Sequence, residues 1–323
     1  MVRTKPTGRA QAMLLSGVLC LVMVVVGLVR EPRAQSSDAP PLSATEQAAI
    51  KVVRGWLSGW DTKNPERVAS FMADDVFWAG GFPTNPAGGI WRTGDRFVQQ
   101  DGPATRTGVK FSVVEELAVG GSAGTAILQR RIDEGAVGPY EFGAGRGGAG
   151  MFFTNAVLYW VKDGKIQIWL DGPISPNATR DKAPPLDAWA ADEKAALEVV
   201  KGWVAAWNAK DPGKVASYMA DDAQYSAYYP FYITERGKSH FLDAHRANIA
   251  QGVDMRIAQS LAVGGPRGIG VMLRRIDRFA SGGRQREVPT AAFFWVSNGK
   301  IETWLDLPLE TPPMSAAGAP VVR

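Results

Sequence analysis

Two short patterns of charged and aromatic residues each occur twice in this chain. Arg131-x-Asp133 lies in one β-rich segment, and Trp169-x-Asp171 lies in another. Both patterns return later in the sequence, as Arg275-x-Asp277 and Trp304-x-Asp306. Because residues i and i+2 of a strand point to the same face, each copy can place one guanidinium and two carboxylates on one face of a sheet.

An arginine that lies between two carboxylates allows those carboxylates to take different roles. Its five donors can bridge both groups, and unequal burial moves their pKa values apart. One group then donates a proton and the other accepts one. Such a pair suits the attack of water on a strained ring, where one carboxyl protonates the leaving oxygen and the other takes a proton from water. The alternative is a structural ion pair, since Arg-x-Asp is common on strands.

The two copies of these patterns belong to a duplication of a whole domain. Val52–Asp75 and Val199–Asp222 are identical at 14 of 24 positions. The offset between the copies falls from 147 to 135 along the chain, so the second copy has shorter loops. This period is far longer than the 20–50 residues of solenoid repeats. Further segments that we align between the copies are 117–121 with 261–265, 130–133 with 274–277, Phe152-Phe153 with Phe293-Phe294, and 164–171 with 299–306.

The order of the predicted elements indicates an α+β architecture. In the first copy we predict a helix over Thr45–Trp60, and a second helix from Pro65 to about Met72 that Asp74-Asp75 ends. A short strand (76–80) and a short helix (95–100) follow, and then strands over 109–119, 123–133, 151–161 and 165–171. In the second copy we predict helices over 192–209, 212–220 and 237–250, and strands over 223–228, 254–263, 268–277, 289–297 and 300–306. We expect a strongly curved, mainly antiparallel sheet that the helices close into a cone with an apolar interior, which is a common ligand site.

The N-terminus reads as an export signal. Arg3, Lys5 and Arg9 precede an apolar run over 13–29, and a small-x-small site follows, which predicts a signal peptide over 1–36 and a secreted or periplasmic protein. An uncleaved membrane anchor is the alternative. The remaining boundaries that we predict are a linker over 37–44, domain 1 over 45–173, a Pro-rich linker over 174–191, domain 2 over 192–310 and a tail over 311–323.

Composition argues against several classes of function. Without residues 1–36 the chain carries 31 basic and 31 acidic residues, so net charge gives no support for nucleic-acid binding. The single cysteine, Cys20, lies in the leader, which leaves no disulfide or thiol chemistry. His240 and His245 are the only histidines, so we expect neither a zinc site nor a Ser-His-Asp triad. We therefore expect no cofactor, no metal, no nucleic-acid partner and no stable membrane insertion once the leader is removed.

At this point the sequence resembles a known family. Arg-x-Asp on one strand and Trp-x-Asp on the last strand, after an opening pair of helices, resemble the limonene-1,2-epoxide hydrolases. These belong to the NTF2-like superfamily, a cone-shaped α+β fold that includes ketosteroid isomerase and SnoaL-type cyclases. The resemblance covers about 45–173 and 192–308. It implies an acid that protonates the epoxide oxygen (Asp133, Asp277), a base that activates water (Asp171, Asp306) and an arginine between them (Arg131, Arg275).

The chain departs from the family where the water is held. The family uses a tyrosine and, two residues later, an asparagine on the first strand. Here the first copy has Trp78 and Gly80, whereas the second has Tyr225 but Ala227. Because oriented contacts matter greatly to rate, the second copy is the better candidate for an active site, and Asn155 is a candidate replacement donor in the first. The residues that we expect to position substrate or water are Trp78, Trp169, Tyr225 and Trp304.

Three hypotheses for function follow. The first is an exported, cofactor-independent epoxide hydrolase that converts a small to medium apolar epoxide into a vicinal diol. Since family members often pair as dimers, the fusion would be an intrachain pseudo-dimer, with a homo-oligomer as a further possibility. The second is an isomerase or cyclase that uses one aspartate for proton transfer. The third is a non-catalytic module that binds an apolar small molecule.

Overall fold

The computed structural model describes residues 40–80, 97–99, 102–135, 151–174, 178–179, 182–226, 235–281 and 284–310. The predicted signal peptide and C-terminal tail lie outside these ranges. Within them, no helix is long and apolar enough to span a bilayer.

Each repeat begins with helices and continues into a sheet. The first repeat contains α1 (Ala44–Asp61), α2 (Pro65–Ala69), β1 (Met72–Gly80), α3 (Gly102–Thr107), β2 (Val109–Gly121), β3 (Gly124–Gly135), β4 (Met151–Lys162), β5 (Lys165–Pro173) and β6 (Ala178–Thr179). The second contains α4 (Ala190–Asn208), α5 (Pro212–Ser217), β7 (Met219–Ser226), β8 (Glu235–Arg236), α6 (Lys238–Gln251), β9 (Asp254–Gly265), β10 (Gly268–Ser281), β11 (Arg284–Ser297) and β12 (Lys300–Pro308). Of the short helix predicted over 95–100, residues 97–99 are helical and the others lie outside the described ranges.

The two sheets share one topology. The strand order is β1-β5-β4-β3-β2 in the first repeat, with β6 also paired to β4, and β8-β7-β12-β11-β10-β9 in the second. Only β1–β5 and β7–β12 are parallel among the described pairs. The predicted tandem α+β fold with mainly antiparallel sheets is therefore confirmed.

The predicted end of the second helix was wrong. α2 stops at Ala69, and Met72 opens β1, which runs through the Asp74-Asp75 pair that was expected to terminate a helix. Pairing to β5 decides this, because Ile166 N donates to Phe71 O at 2.8 Å and Met72 pairs with Ile166. The second repeat behaves alike, since α5 ends at Ser217 and β7 begins at Met219. A sheet partner distant in sequence thus overrides local helical preference.

Strand register also corrects our alignment of the two copies over the phenylalanine pairs. Arg131 of β3 pairs with Asn155, and Arg275 of β10 pairs with Thr290. The structural equivalent of Tyr159 is therefore Phe294, at the same distance along the strand. The pair Phe293-Phe294 corresponds to Leu158-Tyr159, and not to Phe152-Phe153 as we had aligned it.

An extra residue bends the same strand position in both sheets. In β2, Val113 pairs with Arg131 and Glu115 pairs with Arg130, which leaves Val114 as a bulge. In β9 the bulge falls at the corresponding residue, Ala258. Bulges increase local twist and bend the strand. In both repeats the bend lies directly opposite the arginine pair of the neighbouring strand.

Both faces of each sheet are buried, so each sheet contributes to two hydrophobic cores. On one face α1 packs its apolar stripe, including Val53, Trp56 and Trp60, against the sheet, and α4 does the same in the second repeat. The opposite faces of the two sheets pack against each other in a shared core. That core includes Leu117, Leu128, Leu158 and Trp160 from the first repeat and Val263, Met272, Phe293 and Trp295 from the second.

Reciprocal ion pairs connect each sheet to the first helix of the other repeat. Arg130 donates through Nη2 to Glu193 of α4, and Arg274 donates through Nη2 to Glu46 of α1 at 2.6 Å. The same carboxylate oxygens also accept backbone N–H bonds, at 3.0 Å from Gly120 to Glu46 and at 3.0 Å from Gly264 to Glu193. Equivalent residues thus make equivalent contacts in both directions, as in an isologous dimer interface.

Two glycines permit the repeats to approach this closely. A Cβ at Gly121 would lie 2.1 Å from Leu309 O, and a Cβ at Gly265 would lie 2.2 Å from Ile174 O. Each obstructing atom is backbone, so relief requires the two sheets to separate. Ala123 N donates to Leu309 O at 3.0 Å, and this bond would also be strained.

We therefore expect Gly121→Ala or Gly265→Ala to lower the free energy of unfolding by about 1–3 kcal/mol through overpacking. Urea unfolding followed by circular dichroism measures the effect. Gly213→Ala is the matched control, because its Cβ would approach only Asp211 Oδ1, at 3.4 Å. Equal stability of all three variants would contradict this account of the interface.

Candidate functional site

The first predicted cluster assembles on the helix-covered face of its sheet. Arg131 Nε donates to Asp133 Oδ1 at 2.6 Å, and its Nη2 donates to Asp133 Oδ2 at 2.7 Å. The same Nη2 reaches Asp171 Oδ1 of β5 at 3.2 Å. Arg131 is only 1% exposed. The predicted arrangement of one guanidinium between two carboxylates is present.

Three residues besides the arginine and its two carboxylates contact this cluster. Arg131 Nη1 donates to the hydroxyl of Tyr159 at 2.6 Å. The Phe111 ring lies under the guanidinium, with Arg131 Cζ 4.5 Å from the ring centroid, a favourable cation–π distance. Asn155, which we considered as a water-holding residue, instead donates through Nδ2 to Asp133 Oδ2 at 2.7 Å.

Aromatic side chains fill the space beside this cluster. The Trp56 ring lies 4.7 Å from Trp169 and 5.9 Å from Tyr159 between centroids. Trp78 lies 5.7 Å from Trp169, and Trp60 is 5.6 Å from Trp56. Trp78 and Trp169 are both buried, and the Trp169 side chain also hydrogen-bonds to the Asp171 carboxyl.

The second cluster repeats the arrangement around the arginine of β10. Arg275 Nε donates to Asp277 Oδ1 at 2.6 Å, and its Nη2 donates to Asp277 Oδ2 at 2.8 Å. The same Nη2 donates to Asp306 Oδ2 of β12 at 2.7 Å. Trp304 completes the group by donating its indole N–H to Asp306 Oδ1 at 2.7 Å. The Trp-x-Asp pattern thus places a hydrogen-bond donor on the carboxylate two residues later.

The surroundings of the second arginine differ from those of the first. Phe294 stands at the position of Tyr159 and has no hydroxyl, and Met255 stands at the position of Phe111. Among the described residues, no atom accepts a hydrogen bond from Nη1 of Arg275. Thr290 replaces Asn155 and donates to Asp277 Oδ2 at the longer distance of 3.4 Å. The side chain of Asp277 is 13% exposed, against 5% for Asp133.

Burial dominates the electrostatics of the carboxylates. Burial raises the pKa of Asp171 to about 6, although Arg131 opposes the shift. Burial likewise raises the pKa of Asp133 and of Asp306 against the lowering effect of their arginines. Two carboxylates and one guanidinium carry a net charge of −1 when all are ionised, so a buried cluster favours keeping one proton on the pair.

The carboxylates in turn keep both arginines charged. Burial alone would lower the pKa of Arg131 and Arg275, but the two aspartates beside each raise that pKa above its usual value. Each guanidinium therefore stays positively charged. Only the two carboxyls beside it change their protonation.

The predicted water-positioning residues of the first strands lie at equivalent places. Trp78 pairs with Trp169, and Tyr225 pairs with Trp304. The Tyr225 ring stacks on Trp304 at 6.2 Å with a 17° interplanar angle. Gly80 pairs with Asp171, whereas Ala227 lies outside the described residues.

A histidine that we had not connected with the site contacts Tyr225. The Tyr225 hydroxyl lies 2.7 Å from Nδ1 of His240 on α6. His245 packs from the same helix, with its ring 5.6 Å from Tyr225 and 5.9 Å from Trp304. Both histidines thus lie beside the second cluster, and the described residues hold no group of three or more metal-ligating side chains.

Comparison with known proteins agrees with this geometry. Residues 200–304 match the family described as SnoaL-like domain. The matched residues lie within the second repeat, which is therefore similar to a SnoaL-like domain. Since the first repeat has the same strand order and the same charged cluster, the chain carries two tandem domains of this NTF2-like architecture.

Three solved structures each cover 35–36% of the chain. An LEH-like epoxide hydrolase from M. tuberculosis is 22% identical, with a TM-score of 0.32, over 36% of this chain and 83% of that one. An uncharacterized cystatin fold protein from Novosphingobium aromaticivorans is 25% identical, with a TM-score of 0.29, over 35% and 97%. An NTF2-like protein of unknown function from Cytophaga hutchinsonii is 10% identical, with a TM-score of 0.28, over 35% and 88%. A search of curated proteins found no match.

The raised pKa of Asp171 predicts a measurable effect of pH on stability. Its folded pKa, about 6, exceeds the value of about 3.9 for an unfolded aspartate. The folded chain therefore binds more protons in this interval, so the stabilisation is complete below about pH 4 and is lost as pH rises through about 6. We expect Asp171→Asn to reduce this loss by about 1–3 kcal/mol.

Urea unfolding at a series of pH values from about 4 to 8 measures the difference. Asp61→Asn, at an exposed carboxyl that ends α1, should keep the pH dependence of the parent. The same dependence in Asp171→Asn would show that the carboxyl titrates normally in the folded chain.

Proposed function

We propose that the second repeat hydrolyses a small to medium apolar epoxide to a vicinal diol without a cofactor. The observation that carries this proposal is the Arg275 guanidinium, which donates to the two carboxylates Asp277 and Asp306 at 2.6–2.8 Å within a buried site. Two carboxyls that share one cation can hold one proton between them, which supplies an acid and a base together.

The reaction balances with these groups alone. Asp306 removes a proton from water as the water oxygen attacks one carbon of the epoxide. The bond from that carbon to the ring oxygen breaks, and Asp277 delivers its proton to the leaving oxygen. The diol then departs, and the proton taken up by Asp306 returns to Asp277 through the cluster or through solvent. Burial raises the pKa of Asp306, which makes its ionised carboxylate a stronger base.

The choice of the second repeat rests on its surroundings. Tyr225 is present there with His240 at its hydroxyl, whereas the first repeat has buried Trp78 at that position. Asn155, Tyr159 and Phe111 enclose the first cluster, which supports a structural role for it as an ion network.

Export of the protein belongs to the same proposal. The basic and apolar leader would direct the chain out of the cytoplasm, so that its epoxide is met in the periplasm or outside the cell. The packing of the two repeats would act as an intrachain pseudo-dimer.

We expect Asp306→Asn to lower diol formation from cyclohexene oxide by about 10²–10⁴-fold, because the base is lost while Asn keeps an acceptor for Trp304. Gas chromatography of the diol measures turnover, and circular dichroism checks the fold. Asp61→Asn should retain parental turnover. If Asp171→Asn abolishes turnover while Asp306→Asn does not, the first repeat is the active one.

The origin of the added oxygen separates hydrolysis from the other reactions of this superfamily. In water labelled with oxygen-18, we expect one labelled oxygen per diol. Product that forms without incorporating label would indicate an isomerase or cyclase instead. Saturable binding of cyclohexene oxide with no product would indicate a binding module.

The pH dependence of turnover follows from the cluster. Since Asp306 must be ionised to act as a base and burial raises its pKa, turnover should rise with pH above the usual aspartate value of about 3.9. A profile of kcat that is already flat at about pH 4 would contradict the role of Asp306.

A further inference from the structure

We propose that Nη1 of Arg275 is the donor of an oxygen-binding subsite, which holds a neutral oxygen atom beside Asp306. The oxygen belongs either to the attacking water or to the organic ligand. This inference rests on the proposed function, since it names the group that receives the reacting oxygen.

The first observation is an internal comparison of the two arginines. In the first repeat Nη1 of Arg131 donates to the Tyr159 hydroxyl at 2.6 Å. In the second repeat Phe294 holds the corresponding register position, so the protein supplies no hydroxyl there. Arg275 Nη1 has no acceptor among the described residues. At this register position the two environments differ by one oxygen atom.

The second observation is the burial of this donor. Arg275 is 1% exposed, and its other two nitrogens donate to carboxylates. A buried charged donor without an acceptor is unfavourable, which favours uptake of an oxygen from solvent or ligand. The adjacent carboxylates disfavour an anion, so the oxygen is neutral.

The third observation is the direction of the guanidinium. Nε and Nη2 face Asp277, and Nη2 also donates to Asp306 Oδ2 at 2.7 Å. Because the guanidinium is planar, Nη1 lies on the edge that Nη2 shares with Asp306. An oxygen held by Nη1 is therefore a neighbour of the proposed base. Its position suits a water that Asp306 deprotonates, or a ligand oxygen that is fixed as water attacks.

The subsite also explains why one repeat rather than the other would be active. In the first repeat the Tyr159 hydroxyl already occupies this place, and Phe111 covers the guanidinium. An incoming oxygen would have to displace a buried phenol. Phe294 is accordingly the specificity-determining residue of the second repeat, although it carries no polar atom.

A high-resolution crystal structure of the full chain, with and without cyclohexanone, tests the subsite directly. We expect an oxygen within about 3.2 Å of Arg275 Nη1, and its identity as water or ketone oxygen distinguishes the two sources. In Phe294→Tyr the new hydroxyl should replace it. In Tyr159→Phe an oxygen should newly occupy Arg131 Nη1. The proposal is overturned if Arg275 Nη1 has no oxygen within this distance or donates to a protein group. Either result leaves the proposed hydrolase function unaffected.

Turnover and binding provide the second measurement. We expect Phe294→Tyr to lower diol formation from cyclohexene oxide by about 10²-fold. If water is the bound oxygen, kcat falls while KM is unchanged. If the ligand oxygen is bound, the preference for cyclohexanone over methylenecyclohexane, measured by tryptophan fluorescence, is lost.

The matched control is Phe71→Tyr, which installs the residue that the second repeat carries at the equivalent position, Tyr218, away from both clusters. It should leave turnover at the parental value. Parental turnover in Phe294→Tyr would overturn the subsite. If the parent forms no diol at all, the proposed function fails, and the crystallographic and binding measurements still decide whether Arg275 binds an oxygen.

Discussion

Each repeat is organised around a buried guanidinium that two carboxylates share. A charge that is removed from water must be paired and hydrogen-bonded, so Arg131 and Arg275 fix the relative placement of two strands that are not neighbours. Asp171 of β5 and Asp306 of β12 are each separated from the strand of the arginine by one intervening strand. A shift of register by one residue would turn these carboxylates to the opposite face. The cluster that could carry chemistry therefore also specifies the sheet in which it lies.

Successive side chains of a strand point to opposite faces, and this connects the cluster to the packing of the two repeats. Arg131 points to the helix-covered face, and the preceding Arg130 points to the other face, where it pairs with Glu193 of the second repeat. Arg275 and Arg274 divide in the same way, with Arg274 reaching Glu46. The bulges at Val114 and Ala258 bend the sheets opposite these pairs. Anything that separates the repeats therefore acts directly on the strands that hold the clusters.

The sequence was sufficient to predict the contacts that depend on the alternation of side chains along a β-strand. Arg-x-Asp and Trp-x-Asp had to share a face, and the structure brings them within hydrogen-bonding distance. Contacts between distant segments could not be read in this way. Arg274 and Glu46 are 228 positions apart, and nothing local marks either as a partner. The equivalence of Tyr159 and Phe294 was hidden because matching letters suggested a different alignment, whereas strand pairing fixes the true one.

Because the domain is duplicated, the two clusters can differ in how fully their buried polar groups are hydrogen-bonded. The first satisfies its arginine with Tyr159 and an aromatic cover and encloses Asp133 with Asn155, which favours stability. The second leaves a charged N–H without an acceptor among the described residues, which native structures usually avoid. Since both repeats share one core and reciprocal ion pairs, the stability of the saturated repeat can offset the penalty in the other. A polar group that is unsatisfied at such a cost marks the place where a ligand or water is expected to complete the structure.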